Sequence, residues 1–243
     1  MTGFYRDAVC LNVLAGSKDN ARDIYQAANG MALVGVLSSS YPDLPSASAD
    51  LQDYLRILNG NLSIGLGNGN PNQWRMVGDL AKTVKADHFN QVFTGVGYTR
   101  AHLGNDEAII NTLVSPSGQL GYVRISTGPL SSIAEQAAVI PIETAILMSK
   151  DMGGSSIKFF PMGGLKCKDE LIAVAQACAK LDFMLEPTGG IDLQNFTEIM
   201  QTILNCGVKH VIPHVYSSII DKHTGLTRVT DGEELFNLLA AII

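Results

Sequence analysis

The sequence predicts a single (β/α)8 barrel domain spanning residues 1–243. Three observations carry this expectation. Apolar runs of strand length alternate with helix-period segments from end to end. The alternation repeats eight times at roughly 30 residues per unit, which is the spacing of a barrel. No spacer segment divides the chain.

The first unit is a strand at 9–15 and a helix that opens at Ser17, a good capping residue, and stops at Gly30. The second has a strand at 31–37, a loop at 38–48 and a helix at 49–58 closed by Asn59 and Gly60. A strand at 62–66, a turn at 67–71 and a helix at 72–83 form the third. The fourth opens with a strand at 90–94, and its remainder, 97–111, is helical or irregular. The fifth is the least tidy, with a strand in two pieces, 112–114 and 120–126, around a turn at 115–118, and then a helix at 142–152. Three clean units finish the chain: 156–160 with 168–181, 183–188 with 193–205, and 210–215 with 232–242. An open doubly wound sheet is the competing arrangement. Its dinucleotide-binding form is disfavoured because no G-x-G-x-x-G follows the first strand.

Composition narrows the function. With 17 Lys+Arg against 23 Asp+Glu the net charge is −6, and the densest basic feature is the Lys166/Lys168 pair, so nucleic acid is not an expected partner. Apolar residues make up 46% and charged residues 16%, enough to bury a large core. The most apolar stretches, 137–142 and 235–243, are far shorter than the ~20 residues that cross a bilayer. Tyr5, Arg6 and Asp7 interrupt any leader pattern, so no membrane partner and a cytoplasmic location are expected. Cys10, Cys167, Cys178 and Cys206 have no C-x-x-C spacing and read as reduced, mostly buried thiols. His210 and His214 lie four apart in a strand, about 13 Å, too far to share a metal. No metal site is expected.

In a barrel the chemistry sits at the C-terminal ends of the strands. On the sixth strand Lys158 stands between apolar neighbours in Ser-Ile-Lys-Phe-Phe-Pro. Burial disfavours an ammonium and leaves an amine that attacks carbonyl carbon, so Lys158 suits Schiff-base formation. The plainer alternative is a strand-end lysine snorkelling to solvent. Alternation on the fifth strand turns Tyr122, Arg124 and Ser126 inward, and on the seventh Glu186 shares a face with Thr188. Arg124 and Glu186 would then flank Lys158, Arg124 receiving a substrate carboxylate and Glu186 moving protons. Alternatively they form an ion pair that plugs the interior. After the seventh strand, Gly189 and Gly190 let backbone N–H groups approach an anion, and Ser217 and Ser218 lie just beyond the eighth, where barrels hold phosphate. An ordinary strand-to-helix turn with Asp192 as cap accounts for the same glycines.

The words Lys158-Phe159-Phe160-Pro161 and Pro187-Thr188-Gly189-Gly190-Ile191, with their spacing, resemble the KFFP and PTGGI elements of the class I 2-keto-3-deoxy-6-phosphogluconate aldolases. Over its length the chain looks closest to the divergent KDGP aldolase family of bacterial sugar-acid and glucosaminate catabolism. The resemblance implies a Schiff-base aldolase that cleaves 2-dehydro-3-deoxy-6-phospho-D-gluconate to pyruvate and glyceraldehyde 3-phosphate. Lys158 would be the nucleophile, Phe160 would pack beside it, Thr188 would line the pocket, and Gly189 and Gly190 would bind phosphate. It also implies no cofactor and a homo-oligomer. The sequence departs from the better-known aldolases in having no glutamate on the second strand, and it offers Ser217 and Ser218 where they carry Gly-Gly-Ser. The proton-transfer role is therefore expected to have moved to Glu186. A sugar-phosphate isomerase or epimerase with Glu186 as base, and a non-catalytic sugar-phosphate-binding protein, are the alternatives.

Overall fold

The computed structural model describes residues 3–243; Met1 and Thr2, where the expected domain begins, lie outside the described residues. Strands β1 (Leu11–Leu14), β2 (Ala32–Leu37), β3 (Leu62–Gly65), β4 (His88–Val92) and β5 (Ile109–Pro116) pair in chain order, all parallel. Two short strands, β6 (Tyr122–Arg124) and β7 (Val139–Pro141), then run antiparallel off the end of β5. The parallel series resumes with β8 (Ser156–Phe159) against β5 and β9 (Met184–Pro187) against β8.

Segment 210–215 closes the cylinder between β9 and β1. Val211 bridges Val9 and Leu185, and His214 bridges Asn12 and Thr188. Pro213 in its middle has no N–H to donate, so separate bridges replace a continuous ladder. The Pro213 carbonyl instead accepts from the Asn12 N–H at 3.0 Å, and the His214 N–H donates to the Pro187 carbonyl at 3.0 Å.

The seven parallel strands and the closing segment are each followed by a helix: α1 (Lys18–Ala27), α2 (Leu44–Ile57), α3 (Trp74–Leu80), α4 (Val96–Leu103), α5 (Ile142–Asp151), α6 (Lys168–Lys180), α7 (Phe196–Asn205) and α8 (Val229–Ile242). They ring the sheet, with α8 returning against α1. As expected, the Ser17 side chain caps α1, accepting from the Asn20 N–H at 3.1 Å. Alternate strand residues such as Val34, Ile64, Phe89, Ile110, Ile157 and Leu185 are fully buried between sheet and helices and form the main core. Inside the barrel, Cys10, Leu33, Ile109 and Ile212 make a small apolar floor, with Phe4 and Met184 packed against it. This floor lies at the N-terminal end of the barrel.

Two expectations need correction, and one left open is resolved. Helix α2 begins at Leu44 rather than 49, because Asp43 accepts from the Ser46 N–H at 2.8 Å and Pro45 occupies the first turn. Residues 97–111, left open between helix and irregular chain, hold α4 and the start of β5. The fifth barrel strand is therefore Ile109–Pro116, and 122–124 folds back antiparallel to it, pairing Arg124 with Ser115. An antiparallel return cannot be a stave of this parallel barrel.

Among the described residues no helix is long and apolar enough to cross a membrane. All four cysteines are free; Cys10 and Cys178 are buried, and Cys167 and Cys206 are only half-buried. Burial pushes the Cys10 thiol up to about 12, which leaves it inert.

Candidate active site

Above the apolar floor the barrel interior turns polar, and Glu186 on β9 is at its centre with no solvent exposure. Its carboxylate accepts from four side chains, three on other staves of the barrel and one on the closing segment: Ser156 Oγ at 2.5 Å, Asn111 Nδ2 at 2.7 Å, His88 Nε2 at 3.0 Å and His214 Nε2 at 2.7 Å. Burial by itself opposes ionisation. The His88 and His214 imidazoles outweigh it and hold the carboxyl well below the usual carboxylate range, so Glu186 is an anion at neutral pH.

His88, Glu186 and His214 form the one His/Cys/Asp/Glu group among the described residues compact enough to share a cation. Apart from His214 Nδ1, which faces Lys158 and Tyr216, their donor and acceptor atoms are engaged with one another and with Asn111, Ser156 and Ser63, whose Oγ lies 2.8 Å from His88 Nδ1. The group is a closed hydrogen-bond network.

Lys158 projects from β8 one level higher, opposite Glu186 in the strand register. Its Nζ donates to Asn90 Oδ1 at 2.7 Å and lies 3.2 Å from His214 Nδ1. Asn90 is in turn locked, its Nδ2 donating to the Ile64 carbonyl at 3.0 Å and its Oδ1 accepting from Asn111 Nδ2 at 2.8 Å. Burial disfavours the ammonium more than the Glu186 charge favours it, and the amine is brought down to about 8. For His214, burial and then the Lys158 charge act in the same direction and lower the imidazole to about 3, so it is neutral. Because a carboxylate only accepts, neutral His214 carries its proton on Nε2 and presents a bare Nδ1 to Lys158 and to Tyr216 Oη, 2.8 Å away.

Lys158, His214 and Tyr216 line a cavity of about 250 Å³ at the C-terminal ends of the strands. Leu14, Leu37, Leu66 and Leu113 supply apolar wall, while Thr188, Gly189, Gly190 and Ser217 form one polar side. Gly190 is held at φ +74°, and a Cβ there would meet the Gly164 backbone nitrogen at 2.4 Å. Gly189, at φ +98°, accepts at its carbonyl from the Gly164 N–H at 2.8 Å and lies against the Phe160 ring. Only glycine permits this approach of two backbones, which keeps the loop tight against the cavity. An amine at the bottom and a glycine-rich rim can together hold a ketone and an anionic group within one small chamber.

The structure brings together Lys158, Phe160, Thr188, Gly189, Gly190 and Ser217 around this cavity. Ser218 is turned away, its hydroxyl donating to the Ile191 carbonyl at 2.7 Å. Arg124 is outside the barrel on the β6–β7 hairpin, donating to Ser126 Oγ and the Ser132 carbonyl, both at 3.0 Å. The stave expected to carry it carries Asn111 instead. Glu186 does face inward as its parity implied, but it lies beneath the cavity and does not line it. The reading of the sequence missed His88, Asn90, Asn111, His214 and Tyr216 as site residues. A signal existed: every parallel strand except β2 holds a buried polar residue within a largely apolar run, such as Asn12, Ser63, Asn90 and Asn111.

Fold and cavity define a (β/α)8 barrel with a buried amine lining a cavity at the C-terminal ends of its strands. A family model described as KDGP aldolase matches residues 5–223, and the chain belongs to that family. It is 43% identical over 244 residues to a 2-dehydro-3-deoxy-phosphogluconate aldolase of Salmonella typhimurium, covering 99% of this chain and 98% of that protein. Among solved structures it is similar to orotidine 5'-monophosphate decarboxylase of Methanocaldococcus jannaschii, with TM-score 0.56, 12% identity, and 96% and 98% of the two chains covered. It also matches the carboxyl transferase domain of Rhizobium etli pyruvate carboxylase, with TM-score 0.55 and 10% identity over 97% of this chain, where it spans about half (47%) of that chain. At such identities the two structures speak to the barrel alone.

Proposed function

We propose that this protein is a Schiff-base aldolase that cleaves 2-dehydro-3-deoxy-6-phospho-D-gluconate to pyruvate and glyceraldehyde 3-phosphate. The observation that carries the reading is Lys158: an amine lowered to about 8, fixed by Asn90 and facing a closed-bottomed cavity. Family membership and the aldolase relative support it over an isomerase or a non-catalytic binder.

The neutral amine adds to the C2 ketone to give a carbinolamine, and loss of water leaves an iminium. The iminium takes up the C3–C4 bonding pair as the C4 hydroxyl loses its proton, and the aldehyde departs. The enamine is then protonated at C3, and water returns pyruvate and free Lys158. The imine is its own electron sink, so the chemistry calls for no metal or organic cofactor. The glycine rim of Gly189 and Gly190, with Ser217, receives the phosphate, and Phe160 and Thr188 shape the wall beside Lys158. The protein acts in the cytoplasm as one barrel domain. It self-associates, a reading supported by the exposed Leu120, Leu130 and Ile133.

Incubation with pyruvate and borohydride, followed by peptide mass analysis, tests this. Labelling is expected at Lys158 and is lost in Lys158→Arg. An unlabelled Lys158 in folded protein overturns the proposal.

A further inference from the structure

Cleavage by the proposed Schiff base needs a group that takes the C4 hydroxyl proton and later returns one to C3. Glu186 is not placed to do this, since it has no surface in the cavity and its oxygens already accept from Ser156, Asn111, His88 and His214. Of the proton-carrying groups that share the cavity with the Lys158 nitrogen, His214 on the closing segment and Tyr216 just beyond it are linked to that nitrogen. His214 Nδ1 lies 3.2 Å from Lys158 Nζ and 2.8 Å from Tyr216 Oη, and the single Tyr216 hydroxyl proton can point either to Nδ1 or to Asn12 Oδ1, 3.0 Å away. Behind the imidazole, Nε2 is fixed on Glu186 at 2.7 Å.

Resting on the Schiff-base reading, we infer that Tyr216 and His214 are the proton-transfer pair, the Tyr216 hydroxyl passing a proton between substrate oxygen and Nδ1 of His214 while Glu186 positions the imidazole. The step balances. The C4 O–H bond breaks, its proton goes to Tyr216 oxygen, and the Tyr216 proton goes to His214 Nδ1. The O–H electron pair becomes the aldehyde π bond, the C3–C4 pair becomes the C2–C3 double bond of the enamine, and the C=N π pair returns to the Lys158 nitrogen. One positive charge leaves that nitrogen as one appears on the imidazole beside Glu186, so no net charge is created in the buried site. The same exchange tunes basicity. While the nitrogen is cationic it suppresses His214, and when it turns neutral that suppression ends and Glu186 stabilises the imidazolium. With the aldehyde gone, the imidazolium returns its proton through Tyr216 to C3, forming the C–H bond and restoring the iminium for hydrolysis.

The test pairs two readouts on the full chain: borohydride trapping of pyruvate at Lys158, and exchange of pyruvate methyl protons in D2O followed by proton NMR. Tyr216→Phe removes one hydroxyl and is expected to keep trapping while methyl exchange and cleavage each fall about 10²–10⁴-fold. His214→Asn is expected to do the same. Trapping together with methyl exchange at the unaltered rate in Tyr216→Phe overturns the proton pair alone. Absence of trapping in the unaltered protein brings down the Schiff-base reading, and this one with it.

Discussion

Replacing Glu186 by Gln probes the network under the cavity. The carboxylate carries one charge and accepts from two donors at about each oxygen: Ser156 and His88 on Oε1, His214 and Asn111 on Oε2. A carboxamide of the same shape removes the charge and turns one acceptor into a donor. Two buried donors then face a third. Each buried group left without its partner costs about 1–3 kcal/mol. Removing one member of a buried charged set costs about 3–5 kcal/mol by a separate route. Taking ~4 kcal/mol, and 2–4 °C per kcal/mol for a chain of this size, the midpoint should fall by about 8–16 °C.

Thermal unfolding followed by far-ultraviolet circular dichroism reads this directly, and its pH dependence checks the cause. The folded-state carboxyl is depressed below its ordinary value of 4.5. Its stabilisation is therefore complete above that value and lost as pH falls towards the folded one. The gap between the unaltered protein and Glu186→Gln should be constant from neutrality to about pH 5 and close in stronger acid. A midpoint within about 2 °C of the unaltered protein at pH 7 refutes the network's energetic role.

Other outcomes follow from the same geometry. Because the Lys158 amine is brought down to about 8, its neutral fraction rises about tenfold per pH unit below that value and levels off above it; the initial rate of imine formation with pyruvate, measured by stopped-flow absorbance, should follow that curve, and a rise continuing to pH 10 contradicts it. Gly190→Ala forces a Cβ to within 2.4 Å of the Gly164 nitrogen at positive φ, so kcat/KM for the phosphorylated keto acid should drop at least about tenfold, or ~1.4 kcal/mol, in steady-state cleavage assays while pyruvate still labels Lys158. Arg124→Ala removes hydrogen bonds to Ser126 and Ser132 on an outer hairpin; it should leave cleavage kinetics unchanged and shift the midpoint by only a few degrees, in keeping with ~1 kcal/mol.

The sequence by itself determined the eight-unit alternation, the Ser17 cap, the inward lysine on the sixth stave and the glycine pair after the seventh. Each of these is a local fact. Alternation along one strand says which side chains face together, and Gly-Gly at a strand end says the backbone can approach closely. Even the early start of α2 was legible in Asp43 followed by Pro45. Tertiary structure decided which segment is the fifth stave, because 112–114 and 120–126 both read as strand and only pairing distinguishes a parallel neighbour of β8 from an antiparallel return. That choice moved Arg124 out of the barrel and Asn111 in. It also decided height. Glu186 and Lys158 are register partners on facing positions, yet one is sealed beneath the cavity and the other opens into it. The reason is that an active site assembled across a barrel depends on the stagger of strands distant in the chain. His88, Glu186 and His214 lie as much as 126 residues apart in number and meet only when segment 210–215 closes the ring.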